Sequence, residues 1–407
     1  MYDHLLVRYG ELGLKGDNRG YFKSALNNNI KKAVETAGSS LSIKDNRILL
    51  TPGLKMEDTI QLLQRVFGLV SLSPVITVAS DLDAIYQAAQ SIVYAKQPCS
   101  FKIETRRANK SFPLDSMQVS REIGGRILEH SPELRVDVHN PELTVYIEIR
   151  ADNSYIYDEI LPCGGGLPVG TSGRAMLLLS GGIDSPVAGW MAMKRGIKIS
   201  AVHFYSYPFT REPAKQKVIE LARVLAEYNN DLELHIVNIG EIQETISKVC
   251  PHKFRVTILR RMMVRLAEQL ASKTGDQVLI SGESVGQVAS QTLESMIAIG
   301  QATDMVILKP LCGWDKTEIT DKARQMGTYD ISALPFEDCC SMFVPAHPVT
   351  KPTLNQVLEA ENTYDWTQLL QEAINDVETL HLKARYNPQI EPSPWLNQSQ
   401  PYCSTKS

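Results

Sequence analysis

A short apolar segment followed by a glycine-rich loop and a helix constrains the fold of this chain more than any other feature. Ala175–Leu179 is a continuous apolar run of strand length, and the loop Ser180–Ser185 (SGGIDS) follows it directly. A helical pattern then covers Pro186–Lys194, and a second apolar strand covers Lys198–Phe204. A strand, a helix and a second strand joined by short connections predict parallel pairing and a right-handed crossover. We therefore expect a doubly wound α/β domain around this segment.

The same alternation continues toward the C terminus and predicts a sheet of about five strands. Beyond Pro352 the pattern is helical to about Ala384, and Arg385–Ser407 is rich in proline, glutamine, asparagine and serine, as in a loosely ordered tail. The other expected elements are helices at Pro213–Tyr228 and Val256–Lys273, and strands at Glu233–Asn238, Gln277–Ser281 and Met305–Leu308.

The part of the chain before the glycine loop predicts two smaller α/β modules. Leu161–Arg174 packs five glycines and two prolines into 14 residues, which is typical of an interdomain joint. We place the main boundary there. The expected strands are His4–Tyr9, Ile48–Thr51, Val70–Val78, Ser100–Thr105 and Leu143–Ile149, and the expected helices are Tyr21–Ala37, Asp58–Phe67, Leu82–Lys96 and Ser116–Glu129.

Composition excludes several classes of protein. Hydrophobic residues make up 43% and charged residues 22% of the 407 positions, which is the mixture of a folded globular chain. The longest uncharged apolar stretch, Val66–Ser80, is too short for a membrane-spanning helix of about 20 residues. The first residues do not resemble a secretory signal, and seven cysteines without a C-x-x-C pair indicate free thiols. We expect a cytoplasmic protein without a membrane anchor.

The loop between strand and helix has the residues of a phosphate-binding site. Free N–H groups and the helix dipole attract anions at a helix N terminus. Gly181 and Gly182 allow the main chain to approach an oxyanion closely, and Ser180 and Ser185 supply hydroxyl donors. Asp184 is the candidate ligand of a magnesium ion that bridges the phosphates. Because the sequence contains no G-x-x-x-x-G-K-[ST] motif, the usual loop for transfer of the γ-phosphate is not the model.

SGGIDS resembles the pyrophosphate loop (PP-loop) of enzymes that cleave ATP between its α- and β-phosphates. The rest of the chain, to about Asn387, resembles the tRNA 4-thiouridine synthases, also called tRNA sulfurtransferases or the ThiI family, in the form without a C-terminal rhodanese domain. The matching segments are Arg8–Glu11 with Leu14–Gly16 and Asn18–Arg19, Phe101–Ile103 with Thr105–Arg107, His203–Phe204, Ser281–Ser284 with Gly286–Thr292, Asp315–Ile319, and Glu337–Cys340 leading to Pro345.

This resemblance implies a domain organisation and an ATP site. The implied domains are a ferredoxin-like module (1–59), a THUMP RNA-binding domain (60–165), a PP-loop ATP pyrophosphatase domain (166–387) and a tail (388–407). Two of the implied positions, His203–Phe204 and Gly282, also follow strand ends, where ligands of open α/β sheets bind; a core or surface role for His203 is the alternative. Beyond the loop residues Ser180, Gly181, Gly182, Asp184 and Ser185, the implied ATP contacts are Leu178, Leu179, His203, Phe204, Arg260, Gly282 and Gln291.

The resemblance also implies the reaction. Such an enzyme adenylates uridine 8 of tRNA at C4 and then replaces the C4 oxygen with persulfide sulfur. The sulfur-bearing residue is Cys340 or Cys339, in a polar loop between prolines; an inert buried thiol is the alternative. The implied cofactors are ATP and Mg²⁺. The implied partners are tRNA, a cysteine desulfurase as persulfide donor, a sulfur-carrier protein of thiamine thiazole synthesis, and a second copy of the chain in a homodimer.

Local charge supports RNA binding only in one segment, since the whole chain has a net charge of −4. Between Phe101 and Lys110, the four cations Lys102, Arg106, Arg107 and Lys110 face a single carboxylate, Glu104. Such a patch suits the phosphates of helical RNA. A second basic run, Cys250–Arg265, has five cations and no acidic residue, and a solvated helix face is the alternative to a role for Arg260 in the site.

Two other functions remain open from the sequence. One is a different PP-loop enzyme that adenylates a small molecule, which the RNA-binding character of the N-terminal half disfavours. The other is an RNA-binding protein with an inactive ATP domain, which the intact SGGIDS and Cys339–Cys340 segments disfavour.

Overall fold

The computed structural model describes residues 2–10, 16–34, 38–44, 47–207, 212–336 and 349–384. The chain divides into two compact units, residues 1–166 and residues 167–407. Each unit has its own sheet and its own core.

The first unit is built on one nine-stranded sheet of order β2-β3-β1-β4-β8-β7-β5-β6, with β9 paired to β4. The long strand β4 joins both halves of this sheet, because its first part pairs with β1 and its last part with β8. The strands are β1 (His4–Tyr9), β2 (Ser40–Lys44), β3 (Arg47–Thr51), β4 (Leu69–Ala79), β5 (Ser100–Arg107), β6 (Arg135–Val136), β7 (Leu143–Ile149), β8 (Asn153–Tyr157) and β9 (Leu161–Pro162).

The described residues of the first unit form four α-helices, namely α1 (Arg19–Val34), α2 (Met56–Gln64), α3 (Leu82–Lys96) and α4 (Ser116–His130), with a 3-10 turn at Gly16–Asn18. Their starts follow from local chemistry. The Asp81 carboxylate accepts from the N–H of Ala84 at the start of α3, and Asp115 forms a capping box with Gln118 at the start of α4. Both helices contribute their apolar faces to one core with β5 and β7.

The second unit contains a six-stranded sheet of order β14-β13-β10-β11-β12-β15. Five strands are parallel and β15 is antiparallel to β12. The strands are β10 (Arg174–Leu178), β11 (Lys198–Tyr205), β12 (Asp231–Asn238), β13 (Val278–Ile280), β14 (Ile307–Leu308) and β15 (Glu378–Lys383).

Helices cover both faces of this sheet, which confirms the doubly wound α/β class. The helices α5, α6, α10 and α11 pack together on one face, and α7, α8, α9, α12 and α13 pack together with a large apolar core on the other. They are α5 (Asp184–Lys194), α6 (Glu212–Asn229), α7 (Gly240–Val249), α8 (Arg255–Thr274), α9 (Leu293–Gly300), α10 (Lys316–Met326), α11 (Tyr329–Ser332), α12 (Leu354–Glu361) and α13 (Thr367–Asn375), with 3-10 turns at His252–Phe254 and Ala289–Gln291.

The strand order fixes where a ligand can bind. From β10 the chain adds β11 and β12 on one side and then β13 and β14 on the other. The order therefore reverses between β10 and β13, and open α/β sheets bind ligands at the carboxyl ends of the strands beside such a switch point. The glycine loop leaves β10 at this position.

The expectation of continuous helix to about Ala384 is wrong for the last segment. Residues 378–383 form the edge strand β15, which raises the expected five strands to six. Thr379, His381 and Lys383 are exposed and alternate with the half-buried Leu380 and Leu382, a period of two that is typical of a strand with one face toward the protein and the other toward water. The helices α7, α9, α10 and α11 and the strands β2, β6, β8 and β9 were also not expected.

Candidate functional site

Hydrogen bonds close the glycine loop into a compact turn at the end of β10. The N–H of Ser180 donates to Oγ of Ser185 at 2.9 Å, and the two serine Oγ atoms are 3.1 Å apart. The N–H of Gly182 lies 3.3 Å from Oγ of Ser180. Among the described residues no side chain caps α5 at Ile183. The start of α5 thus keeps N–H groups for an anion.

Gly282 brings the loop after β13 against the start of α5. A Cβ at this position would lie 2.7 Å from the Ser185 nitrogen, 2.8 Å from Ser185 Cα and 2.9 Å from the Asp184 carbonyl carbon. All three are backbone atoms, so no rotamer change can relieve the contact. Glycine is therefore required for the two segments to approach this closely.

These two segments border a cavity of about 230 Å³ at the carboxyl ends of the strands. Ten of the twelve residues expected at an ATP site line it, while Gly181 and Gly182 are in the loop but not in the lining. The ten are Leu178, Leu179, Ser180, Asp184, Ser185, His203, Phe204, Arg260, Gly282 and Gln291. The lining residues that the sequence did not indicate are Met263, Val264, Leu279, Ser281, Glu283, Ile299 and Ile307.

His203 is held in one orientation at the wall of the cavity. Its Nδ1 lies 3.1 Å from the carbonyl oxygen of Leu179, and the residue is 5% exposed. A carbonyl oxygen can only accept a hydrogen bond, so the Nδ1 atom carries the proton. The contact fixes the ring plane and joins the carboxyl ends of β10 and β11.

The Asp184 carboxylate is held by two side chains that come from later parts of the chain. Lys316 Nζ lies 2.7 Å from Oδ1, and Gln287 Nε2 donates to Oδ2 at 3.0 Å. Lys316 is the first residue of α10, and its side chain is half exposed. A half-exposed ammonium at this place can exchange its carboxylate contact for a phosphate.

Arg260 contacts a carboxylate that also lines the cavity. Its Nη1 donates to Oε1 of Glu283 at 2.8 Å, and Lys309 Nζ lies 3.0 Å from the other oxygen, Oε2. Arg260 Nε and Gln291 Oε1 are buried and have no hydrogen-bond partner within the described segments. Two residues of the cavity lining thus each have one buried polar atom, a donor and an acceptor, without a partner among the described residues.

The basic run around Arg260 is not a solvated helix face. Arg261 is 1% exposed and its Nε donates to Glu361 Oε2 at 2.6 Å, while Arg265 pairs with the other oxygen of Glu361. Arg255 donates to backbone carbonyls, including that of Cys250. The acidic partners were not visible locally because Glu361 lies 100 residues further along the chain.

In the first unit, the four expected RNA contacts differ in their environment. Arg106 is 79% exposed and lies 3.7 Å from Glu104, and Lys102 lies 3.6 Å from the same carboxylate. Lys110 is exposed. Arg107 instead donates to the carbonyls of Phe112 at 2.8 Å and Leu114 at 3.1 Å, so its side chain holds the loop that follows β5.

Cys339 and Cys340 lie outside the described residues, and so does Cys403. The residues before them are anchored: Lys217 Nζ donates to the carbonyl of Leu334 at 2.9 Å and contacts that of Phe336 at 3.4 Å. On the same side, Ser332 Oγ donates to the carbonyl of Gly182 at 3.3 Å.

The chain that follows the two cysteines is also tied to a residue beside the cavity. Thr292 Oγ1 donates to the carbonyl of Thr350 at 2.5 Å, and Thr292 directly follows Gln291. Both described ends of the cysteine segment are thus bonded to residues of the loop or next to the cavity lining.

The described thiols fall into two groups. Cys99 and Cys312 are exposed, whereas Cys250 is buried and Cys163 is half-buried. Burial raises the pKa of the Cys163 thiol to about 12 and also raises the pKa of Cys250. In the described part of the chain no three His, Cys, Asp or Glu side chains group as metal ligands. No described helix combines the length and hydropathy of a membrane span.

The sequence did not indicate the site residues that pair with partners far away along the chain. Lys316 and Glu283 stand inside segments that carried the family resemblance, but their pairing with Asp184 and Arg260 depends on the fold. One local signal was available, because Asp315 and Glu318 have the spacing of a capping box and form one at the start of α10.

Comparison with known proteins matches three family models to successive parts of this chain. Family models match for the ThiI ferredoxin-like domain at residues 4–73, the THUMP domain at residues 79–159 and the thiamine biosynthesis protein (ThiI) at residues 170–366. The probable tRNA sulfurtransferase of Moorella thermoacetica is 48% identical over 93% of this chain and 98% of its own length. That of Halothermothrix orenii is 49% identical over 94% and 100%.

A solved structure of a 4-thiouridine synthetase in complex with RNA and with bound ATP has a similar fold. It is 37% identical in sequence, superposes with a TM-score of 0.87, and the match covers 94% of this chain and 100% of that one.

Proposed function

Because this chain belongs to the ThiI family of tRNA sulfurtransferases, we propose that it uses ATP to replace the C4 oxygen of uridine 8 in tRNA with sulfur, giving 4-thiouridine. Chains of this kind are enzymes that modify tRNA. The observation that carries the proposal is the cavity at the switch point of the second sheet. It combines a glycine loop, an uncapped helix N terminus and unpartnered buried polar atoms.

In the first step the cavity holds ATP with its triphosphate at the glycine loop. The C4 oxygen of the uridine attacks the α-phosphorus, the bond to the β-phosphate breaks, and pyrophosphate leaves. The N–H groups at the start of α5 and the Lys316 ammonium stabilise the charge that develops on the phosphate oxygens. The uridine N3 proton is lost in this step, so C4 carries an adenylate ester.

Asp184 is a suitable carboxylate ligand for the Mg²⁺ ion that accompanies ATP. Mg²⁺ is often held by one or two carboxylates together with substrate phosphates, so a single protein carboxylate is enough. Asp184 Oδ1 and Oδ2 contact an ammonium and an amide, both of which can yield to a cation. When bound there, Mg²⁺ supplies positive charge to the phosphates.

In the second step a persulfide on Cys340, with Cys339 as the alternative, supplies the sulfur. Its terminal sulfur attacks C4 and AMP leaves with the former C4 oxygen. A second thiol then attacks the cysteine sulfur, which releases 4-thiouridine and leaves a disulfide for an external thiol to reduce. In support of this step, the hydrogen bonds of Lys217, Ser332 and Thr292 hold the described residues that precede and follow the cysteines.

The first unit binds tRNA in this proposal. Lys102, Arg106 and Lys110 present cations for the phosphate backbone, and Arg107 shapes the loop that carries Lys110. The family resemblance adds a cysteine desulfurase as persulfide donor, a homodimeric assembly and a cytoplasmic location. Transfer of sulfur to a carrier protein for thiamine synthesis is a second candidate function, favoured by the thiamine biosynthesis family match over residues 170–366.

The decisive assay supplies the full chain with ATP, Mg²⁺, a cysteine desulfurase with cysteine, and unmodified tRNA. We expect pyrophosphate release that requires tRNA and stops when uridine 8 is replaced by cytidine. Release that needs only a small molecule would favour another PP-loop enzyme. Tight tRNA binding without ATP turnover would indicate an inactive ATP domain.

The sulfur-bearing residue is tested with matched serine variants. Cys340→Ser should abolish 4-thiouridine formation while tRNA binding and pyrophosphate release persist. If Cys339 carries the persulfide instead, Cys339→Ser will show this pattern. Cys312→Ser is the control, because Cys312 is an exposed thiol of the same unit. Near-normal thiolation in both the Cys339 and Cys340 variants would contradict the persulfide assignment.

A further inference from the structure

A buried carboxylate lies between two cations at the wall of the nucleotide cavity. Glu283, in the loop after β13, is 8% exposed. Its Oε1 accepts from Arg260 Nη1 at 2.8 Å, and its Oε2 lies 3.0 Å from Lys309 Nζ. Arg260 belongs to α8 and Lys309 follows β14. One carboxylate therefore ties together three elements that meet at the cavity.

The contact with Glu283 uses one end of the Arg260 guanidinium and leaves another donor without a partner. Arg260 lines the cavity, and its Nε is buried with no hydrogen-bond partner in the described part of the chain. A buried donor without a hydrogen-bond partner is unfavourable, so a ligand atom that accepts from it is favoured. A guanidinium is rigid and planar, so fixing Nη1 also fixes the direction of the Nε–H bond.

The charges of the three residues also favour a polyanionic ligand. If Glu283 faced Arg260 alone, the pair would be neutral. Lys309 adds a second cation on the other carboxylate oxygen, so the cluster keeps one net positive charge beside the cavity. A buried carboxylate with two hydrogen-bonded cations is also far better compensated than one with a single partner.

We infer that Glu283, with Lys309 as its second cation, is a positioning residue that orients Arg260 so that its Nε–H donates to the nucleotide in the cavity. This role rests on the proposed nucleotide site. It is distinct from the chemical steps, because Glu283 directs the binding group and does not touch the reacting atoms. Losing it should weaken ATP binding without changing the steps after binding.

The test measures ATP binding to the full chain by calorimetry in the absence of tRNA, followed by steady-state kinetics with tRNA. Glu283→Gln keeps the shape of the side chain but removes its charge. The change also leaves a net charge of +2 beside the cavity, which by itself favours ATP, but the loss of the fixed Arg260 orientation should outweigh it. We therefore expect ATP to bind about tenfold more weakly and KM for ATP to rise by a similar factor, with kcat within about twofold. Glu283→Asp should recover part of the affinity, since it keeps the carboxylate.

Glu361→Gln is the matched control. Like Glu283, Glu361 is a buried carboxylate with two cationic partners, which here are both arginines. One of them, Arg261, is the neighbour of Arg260 on α8. Glu361 does not line the cavity. We expect it to lower thermal stability while ATP affinity stays at the wild-type value. Equal weakening of ATP binding in the Glu283 and Glu361 variants would show a merely structural effect and overturn the positioning role.

The Lys309 variants keep the test decisive if Glu283→Gln is poorly folded, and a double-mutant cycle tests whether Glu283 acts through Arg260. Lys309→Met leaves the Arg260–Glu283 pair intact and should weaken ATP binding by about threefold, with Lys309→Arg restoring it. Arg260→Gln combined with Glu283→Gln should bind ATP no more weakly than Arg260→Gln alone. Additive losses would contradict action through Arg260. Failure of the wild-type chain to bind ATP would instead refute the nucleotide site itself.

Discussion

The Lys316 ammonium lies 2.7 Å from Oδ1 of Asp184, which joins the first residue of α10 to the first residue of α5. The two residues are 132 positions apart in the chain. Their contact brings an ammonium group to the glycine loop, where the N terminus of α5 already contributes partial positive charge. Two helix starts thus meet at the glycine loop, and Arg260, Glu283 and Gln291 line the same cavity.

Gly282→Ala tests the close approach at this loop. The added Cβ would lie 2.7–2.9 Å from backbone atoms of Asp184 and Ser185, so α5 must shift. We expect tRNA-dependent pyrophosphate release to fall on the order of a hundredfold, because displacements of about 1 Å have this effect on positioned groups. Gly300→Ala is the control, since a Cβ there meets no atom within 4 Å in the described structure. Equal activity of the two variants would show that the approach is not needed.

Lys217→Met tests the anchoring of the cysteine segment. The ammonium holds the carbonyls of Leu334 and Phe336, directly before the segment that contains the candidate cysteines. We expect 4-thiouridine formation to slow roughly tenfold while pyrophosphate release continues. Lys215→Met, two residues earlier on α6, removes a surface pair with Glu378 and should change neither rate. Loss of both activities in the Lys217 variant would indicate a general folding defect instead.

Arg106→Ala and Arg107→Ala should separate RNA binding from loop support. Arg106 is exposed, so its loss should weaken tRNA binding and lower the slope of log affinity against log salt by about 0.9, with unchanged stability. Arg107 donates to the carbonyls of Phe112 and Leu114, so its loss should lower the melting temperature. Filter binding across a salt series and thermal denaturation measure the two effects. An unchanged salt slope for Arg106→Ala would remove this residue from the RNA contacts.

Alkylation as a function of pH should distinguish the described thiols. Burial raises the pKa of Cys163 to about 12, so at pH 8 only about one molecule in ten thousand carries its thiolate. Cys250 has a pKa raised by the same cause. We expect iodoacetamide to label Cys99 and Cys312 at pH 8, and Cys163 only as the pH approaches its pKa. Peptide mass analysis reads each site, and rapid labelling of Cys163 at pH 8 would contradict this order.

Strong local patterns allowed the sequence to predict the elements that build the site. The apolar run Ala175–Leu179 and the glycine loop after it specify a strand, a turn and a helix within twenty residues, and the structure contains all three. Edge strand β15 was missed because its mixed polar pattern follows two amphipathic helices and its partner, β12, lies more than 140 residues earlier.

The charged contacts could not be predicted because their partners also lie far apart in the sequence. The run Cys250–Arg265 looks uncompensated in the sequence, yet Arg260 meets Glu283 and Arg261 meets Glu361 in the folded chain. Spacing within a segment predicts helices and caps, but pairing across 23 or 100 residues depends on the packing of the whole sheet. Family resemblance supplied Asp184 and Arg260, and only the fold revealed Lys316 at Asp184 and Glu283 with Lys309 at Arg260.

The fate of the uridine oxygen tests the proposed reaction most directly. The enzyme is supplied with ATP, a persulfide source and tRNA that carries ¹⁸O at C4 of uridine 8, and the AMP and the tRNA nucleosides are analysed by mass spectrometry. If adenylation occurs at this oxygen, each AMP carries one ¹⁸O atom and appears in equal amount to 4-thiouridine. Formation of 4-thiouridine with unlabelled AMP would contradict the account.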